Sequence, residues 1–241
     1  MNTSPDKAMV LAAGLGTRMR PITNHMPKPL VRVGEKTLLD WGLDALADAG
    51  VREAVVNVHY FPDMLIEHVR ARQTPAITIS DERDQLLDSA GGIVKALPFF
   101  GGEPFFILNA DTFWIDRDGS NLERLASFWD GERMDILLML ADPQIATGHT
   151  GKLDFVMEEG GALQRARGAD EGYIYAGAAI LQPRIFDGVT LEPHSLNLYF
   201  DRAIAAGRLF GLPLDGHWLT VGTPDAIAPA EDVLRRVSKN S

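Results

Sequence analysis

The sequence predicts a three-layer α/β/α domain built on a mainly parallel central sheet. Short apolar runs alternate with amphipathic stretches at the spacing of βαβ units. The residues that carry chemistry fall just past the ends of those runs. Size agrees: 241 residues, 46% hydrophobic and 23% charged, suit one globular unit with a sizeable core.

Residues 9–12 are a short apolar run ending in Ala-Gly, a buried strand that feeds a loop. Residues 37–49 place Leu39, Leu43 and Leu46 at i, i+4 and i+7, a helix with one buried face. Residues 54–58 (AVVNV) read as a β-branched strand, 64–71 as a helix and 77–80 as a short strand. A second glycine-containing loop, 89–92, opens a short helix through Leu97, and 105–108 (FFIL) is a buried strand ending at Asn-Ala-Asp. Ligands of such sheets bind beyond the C-terminal strand ends, so Gly14 and Asp111 are expected at one crevice. The second half is less regular, with strands expected at 136–141, 152–157 and 173–181 and helices at 196–206 and 223–237. No linker, low-complexity tract or repeat divides the chain. A single domain over 1–241 is expected, closed by its last helix, with nothing left for an appended repeat domain.

There is no cysteine, which excludes disulfides, thiolate catalysis and thiolate zinc sites and fits a reducing cytosol. The opening residues, MNTSPDK, are polar, and no apolar run of signal-peptide or membrane-spanning type follows them. The expectation is a soluble cytoplasmic protein with a frayed start. A net charge of −10 makes nucleic acid and anionic membranes poor partners. Yet between Asp6 and Glu35 there is no acidic residue, while Lys7, Arg18, Arg20, Lys28 and Arg32 all fall there. That segment is either a focused anion site or a solvated basic loop.

The strongest signal is Leu11-Ala12-Ala13-Gly14-Leu15-Gly16-Thr17-Arg18-Met19-Arg20-Pro21. Two glycines after a strand let successive N–H groups approach phosphate oxygens, and Arg18 follows with a planar donor fork. The third glycine of a dinucleotide fingerprint is missing, which disfavours an oxidoreductase, and the Walker pattern does not fit. Further on, Met26-Pro27-Lys28-Pro29-Leu30 presents one ammonium from a backbone stiffened on both sides, or a plain surface lysine in a proline-rich turn.

Together these motifs resemble the signature of the sugar-1-phosphate nucleotidyltransferase (nucleoside-diphosphate-sugar pyrophosphorylase) family, L-A-A-G-x-G-x-R-M-x-P-x-T followed by P-K-P-L, with Thr23 included. The resemblance continues through Asp88-Ser89-Ala90-Gly91-Gly92, Asn109-Ala110-Asp111, Tyr175-Ala176-Gly177 and the Trp218 to Thr223 turn. It implies a Rossmann-like sheet of the nucleotide-diphospho-sugar transferase type. Length makes the chain most similar to the short members, such as the N-acetylmuramate-1-phosphate uridylyltransferases of cell-wall recycling. Short mannose-1-phosphate guanylyltransferases are close competitors.

The resemblance implies attack of a sugar 1-phosphate on the α-phosphorus of a nucleoside triphosphate, with Mg²⁺ as cofactor. Leu11, Ala12, Ala13, Gly14, Gly16 and Thr17 would hold the nucleotide, Arg18 and Lys28 would neutralise its phosphates, and Asp111 would bind the metal. Asp88, Ser89, Gly91 and Gly92 would form a glycine-rich loop facing the base, although a plain helix-start turn explains them as well. Asn109, Gly151, Arg165, Tyr175 and Gly177 would lie on the sugar side, where Gly177 also fits a strand bulge. The nucleotide-binding part would span about 8–115 and the sugar-binding part about 116–241, in a monomer or weak homodimer. The pattern fails at Thr220, where many members carry a second metal-binding aspartate, and Asp215 and Asp225 are the nearest substitutes. His217, beside it, reads as a packed or hydrogen-bonded histidine. Lost catalysis, leaving a nucleotide-sugar-binding regulatory protein, is the reading that Thr220 alone supports.

Overall fold

The computed structural model describes residues 4–240. The frayed start expected from the sequence falls partly on residues 1–3, outside the described residues. The first half runs β1 (Lys7–Leu11), β2 (Arg32–Val33), β3 (Lys36–Thr37), α1 (Leu38–Asp48), β4 (Glu53–Val58), α2 (Pro62–Val69), β5 (Ala76–Asp81), α3 (Asp88–Phe100) and β6 (Phe105–Asn109). There follow β7 (Thr112–Asp116), α4 (Asn121–Phe128), β8 (Ile136–Ala141), β9 (Ala146–Thr147), β10 (Phe155–Met157) and β11 (Leu163–Arg165). The chain then closes with β12 (Ile174–Leu181), α5 (Asn197–Ala205), β13 (Leu209–Pro213), β14 (Gly216–Thr220) and α6 (Ile227–Asn240).

Seven strands form one sheet in the order β13-β8-β12-β6-β1-β4-β5. β6, β1, β4 and β5 are parallel, β12 runs antiparallel to both β6 and β8, and β13 is parallel to β8. Helices cover both faces, as expected. Leu39, Leu43 and Leu46 of α1, Leu65 and Val69 of α2 and Leu122 and Leu125 of α4 pack with Ala8, Val10, Val56 and Leu108. On the opposite face Ile93 and Phe100 of α3 and Tyr199 and Phe200 of α5 pack with Met9, Val55 and Ile107. Neighbours along β1 thus go to opposite faces, which is the two-residue period of a strand buried on both sides.

α1 shows how local chemistry sets an element's ends. Thr37 accepts a hydrogen bond from the Asp40 N–H at 3.1 Å, an N-cap, and donates its hydroxyl to the Asp40 carboxylate at 2.7 Å. At the other end Gly50 takes φ +80°, Gly50 N–H donates to Ala47 O and Val51 N–H to Leu46 O, both at 3.0 Å. This is the left-handed stop that glycine adopts without a Cβ penalty. The three buried leucines between these caps each contribute about 1.5–3 kcal/mol by leaving water.

Some expectations need correction. Residues 89–92 are not a loop: they lie in the first turns of α3, which starts at Asp88 and runs beyond Leu97 to Phe100. The strand expected at 152–157 shrinks to β10, which pairs with β11 in a two-stranded ribbon and touches the chain before β12 through a single bridge between Phe155 and Tyr173. β13, β14, β7 and α4 were not legible as elements. β7, β14 and β9 form a small second sheet whose apolar residues Phe113 and Leu219 pack with Met19, Val31 and Ala230 in a third core.

β12 carries a bulge: its register with β8 shifts between Tyr175 and Ala179. Gly177 sits in that shift at φ +84°. The Ala176 carbonyl accepts from the Thr112 hydroxyl at 3.1 Å and the Trp218 indole N–H at 2.8 Å, which fixes the bulge on the second sheet. A side chain at 177 would collide with the Thr112 hydroxyl oxygen. Gly177→Ala is therefore expected to lose about 1–2 kcal/mol for the left-handed backbone alone, with displacement of Thr112 adding to it. Urea unfolding at unchanged m should show a lowered midpoint, and an unaltered midpoint would refute the bulge account.

Candidate active site

The parallel strands β1 and β6 are neighbours, with Leu11 paired to Asn109. Both end at the same edge, where Ala110 N–H donates to the Leu11 carbonyl at 3.2 Å. The loop after β1 and Asp111 after β6 therefore emerge together, as expected. They line one cavity of about 620 Å³. Leu11, Ala12, Ala13, Gly14, Gly16, Thr17, Arg18, Lys28, Asp88, Ser89, Asn109 and Asp111 all contribute to its wall.

Gly16 and Gly14 are bare for different reasons. Gly16 takes φ +61°, and a Cβ there would stand 2.9 Å from Lys28 Cβ and 3.1 Å from Thr23 Cγ2. Thr23, fully buried, donates its hydroxyl to the Gly16 carbonyl at 2.8 Å and so pins the loop's far end. Around Gly14 no described residue other than its chain neighbours lies within 4 Å of a notional Cβ. The fold does not require that glycine, and its open side belongs to the cavity.

Lys28 is not a surface lysine. It is 8% exposed, and its Nζ donates to Asp111 Oδ2 at 2.7 Å. A lysine is rarely buried without a partner, and here the partner is a half-exposed carboxylate on the cavity wall. Arg18 differs. It is exposed, lies against Gly222 across the cavity, and has no hydrogen-bond or carboxylate partner among the described residues. Its neighbour Met19 is fully buried in the third core, which anchors the turn and leaves Arg18 outside. The sequence placed Met19 in the motif without assigning that task.

Two residues found only through the structure support the wall: Asn57, which lines the cavity, and Glu82 behind it. Asn57, 2% exposed, accepts from Ala12 N–H at 2.7 Å, so that amide is committed within the protein and the free amides of the loop begin at Ala13. Glu82, 1% exposed, accepts from Asn57 Nδ2 at 2.7 Å and from Leu87 N–H at 3.2 Å. Burial pushes the Glu82 carboxyl above its usual range, opposed by the Asn57 hydrogen bond. The segment AVVNV showed a strand; nothing in it distinguished Asn57 from an ordinary strand polar residue.

Several expected site residues are elsewhere. Gly91 and Gly92 do not line the cavity. A Cβ at 91 would collide with the Glu192 carbonyl, and one at 92 would stand 2.8 Å from both Asn57 Nδ2 and Glu82 Oε1, so their bareness serves packing within the protein. Ala90 N–H donates to His194 O at 3.0 Å, and the Ser89 hydroxyl accepts from Leu196 N–H at 2.9 Å. Arg165 lines a different hollow with Arg167; it pairs with Asp201 at 2.8 Å and lies over the rings of Phe155 and Phe200. Gly151 packs against the His149 ring, and Gly177 is explained by the bulge. The Tyr175 ring packs edge-on to Phe200, its hydroxyl is buried without a hydrogen-bond partner among the described residues, and burial, aided by the Asp111 charge, pushes its pKa up. Asn109 alone of the sugar-side set reaches the cavity.

The departure at Thr220 lies beside Asp111: Thr220 pairs with Thr112, and Val221 N–H donates to the Asp111 carbonyl at 3.1 Å. Asp215 is no substitute. It stands at the opposite end of β14, 3.4 Å from Arg117. Among the described residues no three His, Asp or Glu side chains converge as a metal-holding group. His217 is hydrogen-bonded to the Thr147 hydroxyl at 2.8 Å, and burial lowers its pKa, as a packed histidine should show. No helix among the described residues is long and apolar enough to cross a membrane.

Comparison with known proteins agrees with this geometry. The nucleotidyl transferase family matches residues 7–144. An N-acetylmuramate alpha-1-phosphate uridylyltransferase of Caulobacter vibrioides is 44% identical over 237 residues, covering 96% of this chain and 98% of that one. A mannose-1-phosphate guanyltransferase of Yarrowia lipolytica is 30% identical, covering 90% of this chain and 61% of that one. In fold, the inositol-1-phosphate CTP transferase from T. maritima superposes with a TM-score of 0.78 at 17% identity, over 98% of both chains. With the glycine loop, Lys28 and Asp111 gathered at one sheet edge, the chain belongs to the nucleotidyl transferase family, among its sugar-1-phosphate nucleotidyltransferases.

Proposed function

We propose that this chain transfers a uridylyl group from UTP to N-acetylmuramate 1-phosphate and releases pyrophosphate. The observation that carries the proposal is a pair of cations, Lys28 and Arg18, facing one cavity with a bare glycine loop in a protein of net charge −10. Such a site favours a polyanion against the field of the rest of the surface. The base and sugar are argued from the 44% identical relative over nearly the full length. The more distant guanyltransferase makes GTP with mannose 1-phosphate the second reading. The part up to about residue 115 would hold the nucleotide and the remainder the sugar.

The chemistry asks the protein for alignment and charge neutralisation and for no covalent intermediate. A phosphate oxygen of the sugar 1-phosphate attacks the α-phosphorus, a new P–O bond forms, and the bond to the departing pyrophosphate breaks. The free amides of residues 13–16 would cradle the triphosphate, with Gly14 leaving room for close approach. Arg18 would pair with the leaving pyrophosphate, since among the described residues no carboxylate claims its fork. Lys28, already oriented by Asp111, would meet the phosphates at the reacting centre. Asp111 would also hold Mg²⁺, which spreads the phosphate charge. One carboxylate, half-exposed, fits an ion whose remaining ligands are phosphate oxygens and water.

Pyrophosphate release from the four common nucleoside triphosphates, each offered with N-acetylmuramate 1-phosphate and mannose 1-phosphate, tests the reaction. UTP with the first sugar should be fastest; no release from any pair would favour a non-catalytic binding protein. Arg18→Ala and Lys28→Ala should each lower turnover by roughly 10²–10³. The urea midpoint of Arg18→Ala should stay at the wild-type value, because that side chain has no hydrogen-bond or ion-pair partner among the described residues. Calorimetry should show weak Mg²⁺ binding to the free protein and stronger binding with a non-hydrolysable triphosphate. Asp111→Asn should abolish turnover, and Thr220→Asp should tighten metal binding, because it sets a carboxylate beside Asp111. Tight Mg²⁺ binding without nucleotide would refute the single-carboxylate account.

A further inference from the structure

We propose that Glu82 is a positioning residue for nucleotide binding, whose carboxylate locks the two walls of the cavity together through Asn57. The inference rests on the nucleotide reading of that cavity. Glu82 follows β5 and touches no ligand-facing surface, being 1% exposed. It has no ion pair with any lysine or arginine among the described residues; Lys95 donates instead to the Asp81 carbonyl. A buried carboxylate without a cation is costly, and a pair of apolar residues would fill the space more cheaply. What the carboxylate supplies is two acceptors at fixed places.

One oxygen accepts from Asn57 Nδ2 at 2.7 Å and the other from Leu87 N–H at 3.2 Å. The first bond decides which way the Asn57 amide faces. With Nδ2 held by Glu82, Oδ1 must face Ala12 N–H, which it meets at 2.7 Å. Ala12 is the first residue past β1, so its peptide plane sets the direction in which the glycine loop leaves the sheet. The second bond holds Leu87, whose neighbours Leu86 and Asp88 line the opposite wall. Gly92 has no side chain because one would stand 2.8 Å from both members of the network. Three segments far apart in sequence thus depend on one buried acceptor pair.

Glu82→Gln keeps the shape but turns one acceptor into a donor. Either Leu87 N–H or Asn57 Nδ2 then meets another donor, and flipping Asn57 only moves the mismatch to Ala12 N–H. UTP with Mg²⁺, titrated by calorimetry without sugar phosphate, is the probe. The expected result is an increase of about tenfold in the Kd and KM for UTP, from one buried donor left unpaired. The KM for the sugar 1-phosphate should stay within about twofold of wild type, since its side of the cavity is not part of the network. An unchanged UTP Kd, whatever happens to the melting temperature, would reduce Glu82 to a purely structural role and overturn the proposal. Equal weakening of both substrates would overturn it too, as general loosening. If Glu82→Gln does not fold, Gly92→Ala displaces the same pair of atoms with both residues retained and should show the same selective loss. Wild type that binds no UTP would overturn the reading of the cavity and this inference with it. A variant that binds UTP as wild type does would overturn this inference alone.

Discussion

The parallel pairing of β1 with β6 is the constraint on which the site depends. Because Leu11 stands opposite Asn109, the chain leaves both strands at the same height and in the same direction. The glycine loop and Asp111 are then neighbours without any further device, and the 2.7 Å contact from Lys28 joins them from the side. A shift of one residue in that register would send Asp111 to the other face of the sheet, because side chains alternate along a strand. The apolar alternation of Met9 against Ala8 and Val10, each set buried under its own helices, is what forbids the shift. The geometry of the candidate site is therefore secured by core packing several residues away from it.

Charge within the site follows from burial. The protein is acidic overall, yet its two cations at the cavity are held differently. Lys28 is desolvated and tied to a carboxylate, so its position is set before any ligand arrives. Arg18 is exposed, without an ion-pair partner among the described residues, and fixed at its base by the buried Met19. One cation is preorganised and the other is left to adapt.

Much of this was legible in the sequence, and the reasons are specific. The strands and helices of the first half show strong periodicity, and the glycine, arginine, lysine and aspartate motifs sit at their ends. Local signals failed where tertiary contact decides. Asp88-Ser89-Ala90-Gly91-Gly92 looks like a glycine-rich loop, yet it is the start of α3, and its glycines are needed because Glu192, Asn57 and Glu82 press against them. Glu82 carries no local signal, since nothing nearby in the chain reveals that Asn57 and Leu87 will surround it. Arg165 matched a sugar-side position, but Asp201 on α5, remote in sequence, claims its guanidinium. β14 was hidden because its partners β7 and β9 are remote in sequence and its own end reads as the turn after Trp218.

The antiparallel insertion of β12 between β6 and β8 bears on how the chain can be divided. The family match ends at residue 144, while β12 begins at Ile174. A fragment cut at 144 would contain β6 and β8 but not the strand that joins them. Each would then present an open edge of unpaired amides and carbonyls, lined by some of the most apolar sequence in the protein, FFILN and ILLMLA. Exposed edges of that kind template intermolecular pairing. The segment that carries the recognisable motifs is thus not a module that can be excised. On the ribosome it must wait for its middle strand to be made, and a chain stalled before residue 174 would be prone to aggregate.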